Sequence, residues 1–312
     1  MAQVARGTGL VAAGLGWGIA IGVALGALII APAVDGTLEN GHVFSRGSAD
    51  GAANGSGDGN GTGSGEGVAR DGTALKDQPA QRQASEANEL LADASSQLVK
   101  GALDGRSVLI ISTASASDED TAAVRWLANK AGASDAGEFR LTEKFTDQQS
   151  ADELSNIIAN TLPAGAQLSV ENRSPGTHAG ESLGAAVAID PSTGSPAASG
   201  GDRSLVLGAL EQAGFVDSTR DVNPADMILV VTGDAGTADG SGDTFGAKVL
   251  TDFAAALSGH CDTVLASQGE AADVAGDDGA SVATVGDVDT EAGRIRTVLA
   301  AGKLAEQQGQ HQ

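Results

Sequence analysis

Apolar and polar positions divide this chain into three regimes. From residue 7 to residue 34 there is no charge at all. At ~1.5 Å per residue such a run reaches about 42 Å as a helix, more than the ~30 Å hydrocarbon core of a bilayer. Within it Gly14, Gly18, Gly22 and Gly26 recur at every fourth position and form one ridge. A ridge of this kind lets a second membrane helix approach closely. The pattern then breaks. Between residues 47 and 72, ten of 26 residues are glycine, mixed with Ser, Asp, Asn and Thr. Such a stretch buries too little surface to order itself, so residues 35–75 read as a disordered linker.

From residue 76 the pattern becomes helical. Ala80, Ala84, Ala87, Leu91, Ala94 and Leu98 fall at alternating spacings of four and three, an a/d seam in a helix predicted over 76–103. The seam serves either a weak coiled coil or packing on the helix's own domain. Beyond it, short apolar runs alternate with helical periodicity. Strands are predicted at 107–111, 138–141, 227–231, 264–265 and 282–285. Helices are predicted at 118–131, 152–162, 181–189, 203–213, 247–257 and 291–303. Apolar strands interleaved with helices specify an α/β fold, a mostly parallel sheet covered on both faces and spanning 104–303. Residues 304–312 read as a polar tail.

Charge sets the orientation and narrows the partners. The cations before the apolar run are Arg6 and the amino terminus, and Asp35 and Glu39 follow it. The positive-inside bias then places residues 1–6 in the cytoplasm and the α/β domain outside the cell membrane, on a single-pass anchor. Ala31-Pro32-Ala33 imitates a signal-peptidase site, but the apolar run is nearly twice a usual signal h-region. The net charge of −23 excludes a phosphate-binding surface, and with it nucleic acid as a partner. Aromatic residues are 3% of the chain and Tyr is absent, so the aromatic girdles of an outer-membrane barrel are missing.

Candidate chemistry is sparse. The one cysteine, Cys261, follows His260, and imidazole with thiolate is a soft pair suited to copper or zinc. Two adjacent residues need further ligands from elsewhere, and a half-buried cysteine ahead of a strand is the plainer reading. His42, His178 and His311 form no pair at metal spacing. Asp118-Glu119-Asp120 favours a helix N-terminus. Asp58, Asn60 and Thr62 imitate the start of an EF-hand, but Ala69 stands where the bidentate Glu is needed. The run from Gly240 to Gly246 imitates a dinucleotide loop, yet Asp234, Asp239 and Asp243 in the loop repel phosphate and the run lies far from its strand. No nucleophile–base set follows from spacing, so the chain is not expected to be an enzyme.

Specific strings add a resemblance. They are Gly101-Ala-Leu-Asp-Gly-Arg-Ser-Val-Leu-Ile-Ile, Leu162-Pro-Ala-Gly-Ala-Gln-Leu-Ser, Ala179-Gly-Glu-Ser-Leu-Gly, Ala225-Asp-Met-Ile-Leu-Val-Val-Thr-Gly, Phe253-Ala-Ala-Ala-Leu and Val285-Gly-Asp-Val-Asp-Thr-Glu-Ala-Gly-Arg-Ile. In this order they resemble the actinobacterial copper transport protein B (MctB) family, whose corynebacterial relatives are called SteB. The resemblance implies an envelope protein linked to copper tolerance, with copper ion as the metal it handles. The corynebacterial relatives imply an alternative: a cell-division module joining a cytoplasmic SteA-like partner to a peptidoglycan hydrolase. No catalytic motif carries over. The family's long heptad stalk is here mostly replaced by the Gly-rich linker, which weakens a hydrolase contact through the seam. Met and Cys are scarce, so this chain alone cannot line a copper path. The expectation is a binding or scaffold component that associates with further copies or partners.

Overall fold

The computed structural model describes residues 74–217, 219, 221–234, 244–270, 274 and 282–309. The apolar run with its glycine ridge, the linker through residue 73, His42, His311 and residues 240–243 lie outside the described residues.

The body opens with helix α1 (Ala74–Leu98), followed by β1 (Ser107–Thr113), α2 (Asp118–Lys130), β2 (Ser134–Leu141) and the short α3 (Glu143–Thr146). Then come α4 (Ala151–Thr161), α5 (Pro175–Val187), the two-residue strands β3 (Ile189–Asp190) and β4 (Ser195–Pro196), and α6 (Gly200–Gln212). The chain continues through β5 (Val216–Asp217), β6 (Met227–Asp234), α7 (Thr244–Ser258), β7 (Asp262–Gln268), β8 (Val282–Val285) and α8 (Glu291–Gly309). Among the described residues the main sheet has the order β5-β2-β1-β6-β7-β8. Every neighbouring pair is parallel except β5 with β2. The expected mostly parallel α/β architecture is therefore present.

Strand alternation builds two cores. Leu109, Ile111, Ile228, Val230 and Leu265 face a layer containing Phe145, Leu154, Leu183, Leu210 and Phe253. Val108, Ile110, Met227, Leu229, Val231 and Val264 face Val124, Leu127, Ile295 and Val298 on the other side. Both faces of β1 and β6 are covered, which is why their sequences read as unbroken apolar runs. Met227 is core, as expected for a residue inside the strongest strand. The chain winds from β1 toward β2 through α2, and from β6 toward β7 through α7. These opposite directions put the two helices on opposite faces, as right-handed crossovers demand.

The tightest packing lies between α5 and α7. Ser174 caps α5, its Oγ accepting from the Thr177 N–H, and Pro175 occupies the first turn. Gly176, Gly180 and Gly184 then form a ridge with four-residue spacing. A Cβ at Gly180 would stand 2.5 Å from the Phe253 carbonyl oxygen, and one at Gly184 would stand 2.5 Å from the His260 ring. At Gly176 it would strike the Val249 carbonyl. Only glycine admits this approach, and α5 is buried on nearly every side.

Several boundaries differ from the sequence-based expectation. α5 begins at Pro175, six residues before 181, because Pro-Gly-Thr-His-Ala-Gly imitates a turn when α7 is not in view. α1 ends at Leu98, not 103, and a turn through Gly101 and Gly105, both at positive φ, leads into β1. β2 starts at Ser134 and β7 at Asp262, so both are longer than their apolar centres. α8 runs to Gly309, with Leu304 and Ala305 buried where a polar tail is expected. β3, β4 and β5 are too short to leave a periodic signal.

The α5–α7 contact is tested by Gly180→Ala. Forcing a methyl against a backbone carbonyl is expected to cost about 1–3 kcal/mol in a denaturant melt. Gly208→Ala in α6, where a Cβ meets nothing within 4 Å, is expected to be neutral or stabilising by up to ~1 kcal/mol.

Candidate functional site

In an open parallel sheet a crevice forms where neighbouring strands lead off in opposite directions, at their carboxyl ends. Here that point lies between β1 and β6. Three hydroxyls from the two strand ends converge there. Thr113 Oγ1 donates to Thr232 Oγ1 at 3.0 Å and lies 3.0 Å from Ser115 Oγ. The Gly233 N–H donates to Ser115 Oγ at 3.2 Å. A Cβ at Gly233 would collide with the Ser115 carbonyl, so the two chain ends close on each other only through glycine. Beside this knot a cleft of about 160 Å³ opens, lined among others by Thr113, Ser115, Thr142, Glu143, Thr146 and Leu250.

The cleft's chemistry is hydroxyl and carboxylate. The nearby Lys144 is already engaged, 2.8 Å from Glu153 and donating to the Ala213 carbonyl at 3.0 Å, with its ammonium 4.4 Å from the Phe215 ring centre. The first turn of α2 carries Asp118, Glu119 and Asp120, so its positive dipole end is already answered by acid. The arrangement therefore disfavours phosphate at the position where nucleotide-binding relatives of this architecture hold it.

Asp120 does more than favour a helix terminus. It is 4% exposed and its Oδ1 lies 2.6 Å from Arg294 Nη2. Gln268 Nε2 donates to Oδ2 at 2.9 Å. Arg294 also donates from Nε to the Val288 carbonyl at 3.1 Å. One carboxylate thus ties α2, the end of β7 and the start of α8. Burial by itself pushes the carboxyl pKa up, but the hydrogen bonds from Arg294, Gln268 and Ser117 outweigh it and hold the group below its ordinary value. Asp120 and Arg294 stand 174 residues apart, so spacing gave no sign of the pair.

The soft-ligand pair lies at the opposite, amino-terminal end of the sheet. Cys261 is buried within the core cluster on the α5–α7 side. Burial, together with the charges of Asp262 and Asp226, pushes its thiol up to about 12, so it stays protonated at neutral pH. His260 packs against Gly184, and burial lowers its pKa, which leaves the ring neutral. Among the described residues no three His, Cys, Asp or Glu side chains come together to hold a metal. His178 is spent on the Ser169 carbonyl, 3.0 Å from its Nε2. The seam residues divide: Ala84, Ala87 and Leu98 are exposed, whereas Leu91 and Ala94 are half-buried. Among the described residues no helix is long and apolar enough to cross a membrane.

Two outcomes are expected from this geometry. Asp120→Asn removes the charge from a buried pair and is expected to cost about 3–5 kcal/mol at pH 7. The folded-state pKa of Asp120 is depressed, so its contribution is present above the unfolded-state value near ~3.9 and fades as pH falls through the folded one. The stability gap between wild type and Asp120→Asn should therefore narrow in acid, as read by urea melts across pH. For Cys261, an aromatic disulfide reagent at pH 8 should leave the thiol unmodified in the native protein and titrate one equivalent after denaturation. Rapid native labelling would contradict a buried, protonated thiol.

Comparison with known proteins supplies the family. A profile described as "Copper transport outer membrane protein, MctB" matches residues 9–311. The copper transporter MctB of Mycobacterium tuberculosis strain H37Rv is 35% identical over 222 residues, 67% of this chain and 70% of that protein. The Mycobacterium bovis protein of the same name matches to the same extent. The Mycobacterium leprae protein of that name is 34% identical over 219 residues, 65% of this chain and 68% of its own length. The profile spans nearly the whole chain and the relatives match across two thirds of it, so the chain belongs to the MctB family.

Proposed function

We propose that this protein acts in copper transport and homeostasis at the cell envelope, as a binding or scaffold component and not as a pore by itself. The observation that carries the reading is the family match over residues 9–311, with relatives named as copper transporters across two thirds of the chain. The charge-free run 7–34 supports a single-pass anchor with the amino terminus in the cytoplasm and the α/β body beyond the membrane. One such helix has no lumen, so passage of an ion through it would need several copies or another protein.

The scaffold part of the reading is supported by what the body offers copper. Cu(I) seeks thiolate and thioether ligands. The single thiol is protonated and enclosed by apolar side chains, and Met227 is buried in the sheet. Copper, as cargo, would then be held by ligands that a partner supplies or by a set assembled between chains.

Deleting the gene tests the reading. The deletion strain is expected to become copper-sensitive in a growth-inhibition assay. The full chain and its Cys261→Ala variant should restore tolerance equally. Unchanged copper tolerance in the deletion strain would remove the copper role. Failure of Cys261→Ala alone, with the protein present at normal levels, would make the thiol a ligand and overturn the scaffold part.

A further inference from the structure

The cleft beside the hydroxyl knot is lined by hydroxyls whose own protons are spent within the protein. Thr142 Oγ1 donates to the Gly214 carbonyl at 2.7 Å, and Thr146 Oγ1 donates to the Glu143 carbonyl at 3.2 Å. Thr113 Oγ1 gives its proton to Thr232, which leaves Ser115 as the donor in its 3.0 Å contact with Thr113. Each of these lining oxygens keeps a lone pair for a visitor and has no proton left to offer. Glu143 adds a carboxylate to the lining, on an exposed residue that stands in no ion pair among the described residues.

The complementary charge is missing from the cleft. Lys144, on the same short helix, is bound to Glu153 and to the Ala213 carbonyl. The remaining wall is apolar, from Leu141 and Leu250. Acceptors withdrawn from water need donors in return. An anion supplies none, and a neutral ether supplies none either. A primary ammonium supplies three and carries no acceptor, which is the converse of this lining. The net charge of −23 also raises the local concentration of cations around the body. A cleft of about 160 Å³ is comparable to a cavity that admits benzene, so it takes a molecule of about six to ten heavy atoms.

We propose that this cleft binds a small primary ammonium compound with an apolar stem. The ammonium donates to the Glu143 carboxylate and to the hydroxyl oxygens of Thr142 and Thr146, and the stem lies against Leu141 and Leu250. A hydroxyl at the far end of the stem donates to Ser115. The site draws on no copper ligand and stands apart from the copper role proposed above.

The test uses the full chain in phosphatidylcholine nanodiscs, with empty nanodiscs as the blank and saturation-transfer NMR as the readout. The probe is 4-aminobutan-1-ol at neutral pH, which is expected to bind saturably. Three matched molecules each lack one property: 1,4-butanediol has no charge, 4-hydroxybutyrate has the opposite charge, and tetramethylammonium has the charge without an N–H. None of the three is expected to saturate. Ala114→Phe, which fills the cleft from an exposed lining position, should weaken the probe at least about tenfold. Glu143→Gln should weaken it about two- to fivefold, as for a solvated ion pair. Both positions are exposed, so circular dichroism melts should be unchanged, and Glu143→Gln keeps the test informative if Ala114→Phe disturbs the fold. Equal binding of tetramethylammonium would mean that the acidic surface alone gathers cations, and would overturn the proposal. So would binding that survives both substitutions in folded protein, or no saturable binding at all. Copper tolerance is read in a separate growth assay, so failure of this site leaves the copper reading standing.

Discussion

The backbone-to-backbone contact of α5 with α7 sets the rest of the structure. Three glycines four residues apart remove the side chains that would hold the helices apart, and the Phe253 carbonyl and the His260 ring occupy the space. Because α5 sits so deep, it can be flanked by α4 and α6 and still close the core over β1 and β6. Phe145 meets Phe253 edge-on at 5.3 Å between ring centres, so even the short α3 is anchored through the same helix. The same four-residue glycine spacing stands in the sequence at Gly14, Gly18, Gly22 and Gly26, outside the described residues. In the body it serves because a second helical layer has to fit within a small cross-section.

A chain with 41 acidic and 18 basic side chains has few cations to place. Arg125, Arg140, Lys144, Lys248, Arg294 and Arg296 all stand against carboxylates. Most of these pairs are solvated and contribute little. The Asp120–Arg294 pair differs because both partners are nearly buried and three elements meet on it. It explains the Val285-to-Ile295 string in physical terms. The string makes the turn from β8 into α8, with Asp287 at positive φ and Gly293 against its carbonyl, and it delivers Arg294 to Asp120. Among the described residues, the carboxyl ends of β1 and β6 carry the hydroxyls of Thr113, Ser115 and Thr232, with Glu143 lining the cleft beside them.

The parts legible in the sequence are those whose physics is local. β1 and β6 are visible because burial on both faces forces continuous apolar runs. α2, α4 and α8 are visible because one face is wet. α5 is legible only in its second half: its first turn is Pro and Gly, and the reason for those glycines is a helix some 70 residues later. The hydroxyl knot joins Thr113 to Thr232 across 119 residues, and the buried ion pair spans 174. Neither leaves a periodic trace. Cys261 was readable as a cysteine ahead of a strand, but its enclosure depends on how α5 and α7 close over it. The seam on α1 was readable as a pattern, whereas its division into a docked edge and a wet edge depends on where the body ends.

A transporter family and a body with a silent thiol are compatible once transport is separated from ligation. A copper ligand must be deprotonated, reachable and held with others at bonding distance. Among the described residues, Cys261 fills core, His260 covers Gly184 and Met227 sits within the sheet, so these three are placed for packing. What the fold presents outward is different in kind: an acidic surface, a hydroxyl-lined cleft and one uncharged helical stripe. On the scaffold reading proposed above, such a surface would meet other proteins without ligating the ion, and an acidic exterior would keep the body soluble where it faces water.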